Sequence, residues 1–295
     1  MPRSAQRYRA AKAAKLRELT SKPGFRRNVA LLAVPGVAIL AIDPFTTSSL
    51  WRVGIAVGLV LPGAYYAWLQ SRASKHAKTQ TMTAWAGERG WTYVPKPVLP
   101  VDVAFCRDKS KMEADDGFQG TICGLPGLIF NFTYSTYRTH TTTTFDGKTQ
   151  TSREEKKQRH TVFRLELGAI PGVATMQLAD RGTGFIEKLE AAFGPSRKVE
   201  TESVEFEERF SLTVDDSADQ APVLRIFTPA LQMRLVEGMF PHTTFQFEAG
   251  ALAYIWADQY DVSELEEIEA RVASVTPLTD ALHDAVDRMR LSRAT

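Results

Sequence analysis

Histidines, cysteines, clustered acids and paired glycines are the residues of this 295-residue chain that could do chemistry, as metal ligands, nucleophiles, acid–base pairs or phosphate cradles. Their spacing assembles none of these. His76, His140, His160, His242 and His283 have no mutual ligand spacing, and His283 with Asp284 would point apart on a helix. Cys106 and Cys123 lack the CxxC or Cys/His pattern of a zinc site, and two cysteines make no disulfide framework. No nearby His would lower either thiol pKa, so both read as small buried hydrophobes. The glycines of RGTGF, residues 181–185, fit a turn before a helix more economically than a phosphate loop. Glu205, Glu207 and Glu208, and Asp215 with Asp216, read as solvated faces or helix caps. Walker, GxGxxG, GxSxG, HExxH and EF-hand patterns are absent. The sequence therefore assigns no catalytic, cofactor-binding or metal residue, and a site assembled in space from distant residues stays open.

Hydrophobic side chains make up 44% of the chain, which excludes global disorder, and the charge is unevenly placed. Residues 1–27 carry Arg3, Arg7, Arg9, Lys12, Lys15, Arg17, Lys22, Arg26 and Arg27 against Glu18 alone, so the remainder is net acidic within a total of +2. This Ala-rich, helix-prone segment lies just ahead of apolar sequence, and its expected contact is anionic membrane lipid. Nucleic acid is the disfavoured alternative, because no aromatic set is interleaved with the bases.

Two long apolar runs follow. Leu50–Leu69 is 20 residues, about 30 Å of helix and the thickness of a bilayer core. Val29–Ile42 is 14 residues, about 21 Å, and would have to thin the bilayer to cross it. The expectation is an uncleaved two-helix transmembrane hairpin over 28–69 (28–43 and 50–69). A signal peptide fits less well, since AIDPF is a poor cleavage site and a second run follows at once. Nine bases precede the first run and Arg72, Lys75 and Lys78 follow the second, while 43–49 has none, so both termini are expected to be cytoplasmic. Pro35-Gly36 and Pro62-Gly63 are read as span–span packing rather than as a gating pair.

Residues 70–90 predict a helical stalk that continues from the second run and is stopped by Gly90, and 91–295 an α+β domain of antiparallel hairpins with packed helices. A projecting hairpin is expected over 128–165. Asp146-Gly147 reads as its two-residue turn, which sets Phe130 opposite Phe163, Leu128 opposite Leu165 and Arg138 opposite Glu155. Its outer part, THTTTTFDGKTQTSREEKKQRH, has six Lys/Arg and three acids between 138 and 160. Arg138, His140, Lys148, Arg153, Lys156, Lys157 and Arg159 are its candidate partner contacts, with a mobile tip as the alternative. A second hairpin is expected around Ala249-Gly250, pairing Phe247 with Leu252, Phe245 with Tyr254 and Thr243 with Trp256. Helices are expected from Thr183 to Gly194, within Asp215–Phe227 behind the N-cap residues that open it, after Thr228-Pro229, from a Ser263-x-x-Glu266 capping box and again from Thr276-Pro277.

With its double apolar run, WAGERGWTYVP and then TESVEFEERFSLTVDDSADQAPVL, the chain resembles membrane-anchored actinobacterial proteins of unknown function of the DUF3137 type. The resemblance implies a bacterial plasma-membrane setting and a cytoplasmic α+β domain, and carries over no catalytic residue. The leading expectation is a membrane-anchored, non-enzymatic interaction or accessory protein whose domain binds a protein partner or assembles with itself. The alternatives are an inner-leaflet hydrolase or transferase acting on a lipid or envelope precursor, and an accessory subunit of a membrane transport complex.

Overall fold

The computed structural model describes residues 2–22, 24–25, 27–32, 50–107, 109–143, 149–181, 196–239 and 244–294. The chain forms two compact units, Met1–Trp85 with Val262–Glu264, and Ala86–Asp261 with Leu265–Thr295.

In the first unit, Arg3–Ser21 (α1) is a helix of 19 residues, mostly the strong helix formers Ala, Leu, Lys and Arg. It ends at Lys22, whose extended backbone suits a residue preceding proline. Leu50–Gly87 (α2) is one helix of 38 residues with Pro62 inside it, so no element boundary falls at residue 69. Among the described residues no helix is long and apolar enough to cross a membrane. This finding overturns the expected transmembrane hairpin, the multi-pass plasma-membrane location and the cytoplasmic assignment of the two termini. The first apolar run from residue 33 on, with Pro35 and Gly36, lies outside the described residues. Around Gly63, nothing described lies within 4 Å of the place its Cβ would take.

The second unit begins where the long helix closes in a Schellman turn. Trp91 N donates to Ala86 O at 2.9 Å and Gly90 N to Gly87 O at 3.2 Å, with Gly90 at φ +70°. Nine strands are described: β1 Thr92–Val94, β2 Ser110–Ile122, β3 Leu125–Thr143, β4 Thr149–Glu166, β5 Thr175–Asp180, β6 Ser196–Lys198, β7 Phe210–Asp215, β8 Thr244–Glu248 and β9 Ala251–Trp256. They form one antiparallel sheet in the order β1-β2-β3-β4-β9-β8-β5-β7-β6.

Directly opposed side chains, Ile129, Phe163, Tyr254, Phe245, Leu178 and Leu212, cross six strands on one face, all fully buried. Helix Leu265–Ala294 (α3) covers this face with Leu265, Ile268, Val275, Leu278, Leu282 and Val286, and the Tyr254 hydroxyl meets Thr279 Oγ1 at 2.8 Å. The helix starts at Leu265 and runs straight through Pro277, where a second helix was predicted to begin. Thr276 and Thr279 donate back to the Val272 and Val275 carbonyls at 2.7 and 2.9 Å, on either side of the N–H that proline lacks.

The opposite face carries Phe130, Phe132, Tyr134, Val162, Ala253 and Ile255, covered by Val103, Phe105 and Cys106. The segment bearing these three residues is strapped to the sheet. Arg164 Nε donates to Asp102 Oδ1 at 2.9 Å, Phe105 N to Gln246 Oε1 at 3.1 Å, and Arg107 to Glu248 at 2.5 Å.

Register is where prediction and structure part. In the β8/β9 hairpin, Phe245 faces Tyr254 and Phe247 faces Leu252 as predicted, about Ala249 and Gly250, both at positive φ as a type I′ turn requires. The predicted Thr243 partner lies outside the described residues. In β3/β4 every pair is shifted by one: Phe130 faces Val162, Ile129 faces Phe163 and Arg138 faces Glu154. The last described pair is Thr143 with Thr149, with five residues between them in sequence. Asp146 and Gly147 are among them, outside the described residues, as is the helix predicted from Thr183 to Gly194.

Candidate functional site

Four strands, β2, β3, β4 and β9, run together at the base and two of them stop early, which creates an arm. The lane of β2 ends at Ser110 beside Ser135, and that of β9 at Trp256 beside Thr161. Beyond them Thr136–Thr143 and Thr149–Lys156 pair only with each other, eight pairs or about 26 Å. Arg138, His140, Arg153, Lys156, Lys157 and Arg159 are all exposed on this arm or at its root, while Lys148 lies outside the described residues.

A two-stranded ribbon is marginal in water, so its side chains decide whether it holds. Tyr137 is the centre of the arrangement. The Arg153 guanidinium carbon lies 3.9 Å from its ring centroid, and Lys111 Nζ lies 5.8 Å away. The Arg153 stacking is worth about 0.5–1 kcal/mol. Lys111 reaches this ring because β2 has a bulge between Ser110 and Glu113, with Lys111 itself at φ +50°. Lys111 Nζ also donates to Glu155 at 2.6 Å, and Ser135 Oγ donates to the other oxygen of that carboxylate at 2.6 Å. These contacts hold the Glu155 carboxyl below its usual range, Lys111 contributing most, and Glu155 raises the Lys111 ammonium. On the other face His140 Nε2 lies 3.1 Å from Glu154.

The root contains a residue that sequence reading misplaced. His160, expected on a solvated hairpin, is only 3% exposed. Its ring stacks on Tyr134 at 5.5 Å, meets Phe105 edge-on at 4.9 Å, and its Nδ1 lies 3.1 Å from the Trp256 carbonyl. The signal was its position two residues from Val162 on the same face, legible once the register is right.

A cleft of about 800 Å³ opens beside the strap, lined by Val98, Val101, Gln119, Leu128, Arg164 and Glu166 among others. Lys96 in its wall pairs with Glu113 at 3.4 Å, and its other ionisable groups are committed to one another. Arg164 holds Asp102 through two nitrogens and donates to Glu166 at 3.0 Å, so hydrogen bonding from Arg164 lowers the Asp102 pKa. Burial pushes the Cys106 thiol up, and also that of Cys123, which lies 3.3 Å from Thr276 Oγ1. Among the described residues no group of three or more His, Cys, Asp and Glu could hold a metal ion. On α1, Arg3, Arg7, Arg9 and Arg17 are exposed and Lys12 and Lys15 half-buried, with Lys15 and Lys22 paired to Glu18 at 2.7 and 3.5 Å. Lys22 and Arg27 are exposed, and Arg26 lies outside the described residues. The basic segment and the arm belong to different units.

No protein family matches the chain, and neither does any curated protein. Among solved structures, the crystal structure of the mycobacterial trehalose monomycolate transport factor A, TtfA, aligns over 68% of this chain and 93% of that one, at 12% identity and a TM-score of 0.39. A likeness of that score supports no statement about fold or function.

Two outcomes follow from this geometry. Tyr137→Ala should speed amide exchange across Thr139–Thr143 roughly two- to fivefold, while Tyr137→Phe, which keeps the ring, should leave it unchanged. Equal acceleration in both variants would show that ring stacking does not hold the arm. For Asp102, the folded pKa is depressed by Arg164, so the unfolded chain takes up the proton first as pH falls. The stabilisation is therefore complete above about pH 3.9 and lost as pH falls through the depressed value. Asp102→Asn should lower the melting temperature near neutral pH, with a gap to the parent protein that closes in acid. A gap independent of pH would contradict the assignment.

Proposed function

We propose that the chain is a non-enzymatic interaction or accessory protein whose β3/β4 arm is the working contact with a protein partner. The observation that carries this reading is the ordered arm itself. Eight residue pairs project past the rest of the sheet, and a dedicated bulge in β2 brings Lys111 to Tyr137 and Glu155 at the base. A ribbon with no use would need no such tie. The enzymatic reading has less support, because Asp102, Arg164 and Glu166 in the cleft beside the strap are already paired with one another and none is poised as a general base. Basic excess on the arm favours a partner surface of negative charge.

Replacing Thr139–Arg153 by Asn-Gly would close a two-residue turn on the Arg138–Glu154 pair and leave the root intact. In crosslinked pull-downs that shortened protein should lose partners that the full-length chain captures, with its melting temperature little changed. An unchanged partner set from a folded variant would overturn the proposal.

A further inference from the structure

Resting on the reading of the arm as a working contact, we propose that the outer edge of β3 from Thr136 to Thr143 is a strand-addition site for an extended, acidic peptide segment of another protein. The edges of the sheet are unequal in a way that singles this one out. The outermost strands β1 and β6 are three residues each, too short to template a long partner. The free edge of β4 carries Arg153, Lys156, Lys157 and Arg159, the kind of charge that guards natural edges against pairing. From Thr136 to Thr143, β3 has no proline, lysine or acid, and five of its eight residues are β-branched Thr. The lane that β2 fills lower down has no described strand alongside these eight residues. The Tyr137 contacts hold the edge extended in advance, which lowers the ordering cost of adding a strand.

Charge selects the occupant. Both described acids of the arm are engaged, Glu155 by Lys111 and Ser135, and Glu154 by His140. Arg138 is exposed, makes no ion pair among the described residues, and shares its face with Lys156. A carboxylate opposite Arg138 on an added strand would meet its guanidinium. A second copy supplies none: two β3 edges centred on His140 would set Arg138 against Thr142 and leave both arginines without an acid.

The test titrates full-length protein with capped, fluorescent peptides of about eight residues. One alternates Glu with Val, another alternates Lys with Val, and a third is the Glu peptide N-methylated at every amide. The Glu peptide should bind at least about tenfold tighter than the Lys peptide at low salt, and about three- to tenfold weaker to Arg138→Gln, a change at an exposed position that sets no like charge against Glu154. N-methylation should abolish binding, and the Glu peptide should slow deuterium exchange at 136–143 but not at 149–158. Equal affinity for the two charges, survival of binding after N-methylation, or protection on β4 instead would overturn the inference. So would a sedimenting dimer already protected at 136–143 without peptide. Loss of partners on arm replacement combined with no peptide protection would sink this inference alone, whereas unchanged partners would sink the arm's role as well.

Discussion

The pairing of β3 with β4 is the contact on which the second unit depends, because both faces of these strands are buried at their base. Phe163 lies opposite Ile129 under α3, while Val162 lies opposite Phe130 under the Phe105 strap. Side chains alternate faces, so a slip of one residue would move Phe163 into the space of Val162 and His160 out of the pocket made by Tyr134 and Phe105. The same slip would carry Glu155 to the face away from Ser135 and Lys111, and the arm would lose its tie. Core packing at the base thus dictates what the exposed end presents.

Polar groups complete the frame where apolar packing runs out. After β9 the chain crosses the helix face and is pinned by Thr161 Oγ1 donating to the Asp258 carbonyl at 2.8 Å and Asn131 Nδ2 donating to the Tyr260 carbonyl at 2.9 Å. Arg271 of α3 donates to Thr161 Oγ1 at 3.0 Å and to Asp258 at 2.9 Å. The Tyr260 hydroxyl donates to the carbonyl of Asp116, which sits in the second bulge of β2 at φ +54°. Tyr93 donates to the Asp116 carboxylate at 2.8 Å. Buried groups connected in this way avoid the desolvation cost that any one of them would incur alone. They also fix β2, and with it the position of Lys111.

Much of this architecture was legible in the sequence. The Ala249-Gly250 turn and its register follow from period-two alternation on either side of turn residues. Asp219 and Thr228 cap short helices by accepting from Ala221 N and Leu231 N, as their residue types imply. The β3/β4 register was misread for a physical reason: Asp146-Gly147 suggested a two-residue turn, and strands buried on both faces show no alternation to contradict it. The continuation of Leu50–Leu69 into the polar segment as one helix to Gly87, with Gly90 as its stop, was legible as well. The clamp was not legible at all. Tyr137, Lys111, Arg153 and Glu155 come together only through a bulge and a cross-strand diagonal, neither of which local pattern encodes.

Cross-strand proton contacts in the arm bear most directly on the claim that it is an ordered ribbon in the register set by its base. With backbone resonances assigned in the full-length protein, Thr141 should show contacts to Thr151, and Thr139 to Arg153. Contacts from Thr141 to Ser152 instead, or no interstrand contacts beyond Ser135, would contradict it.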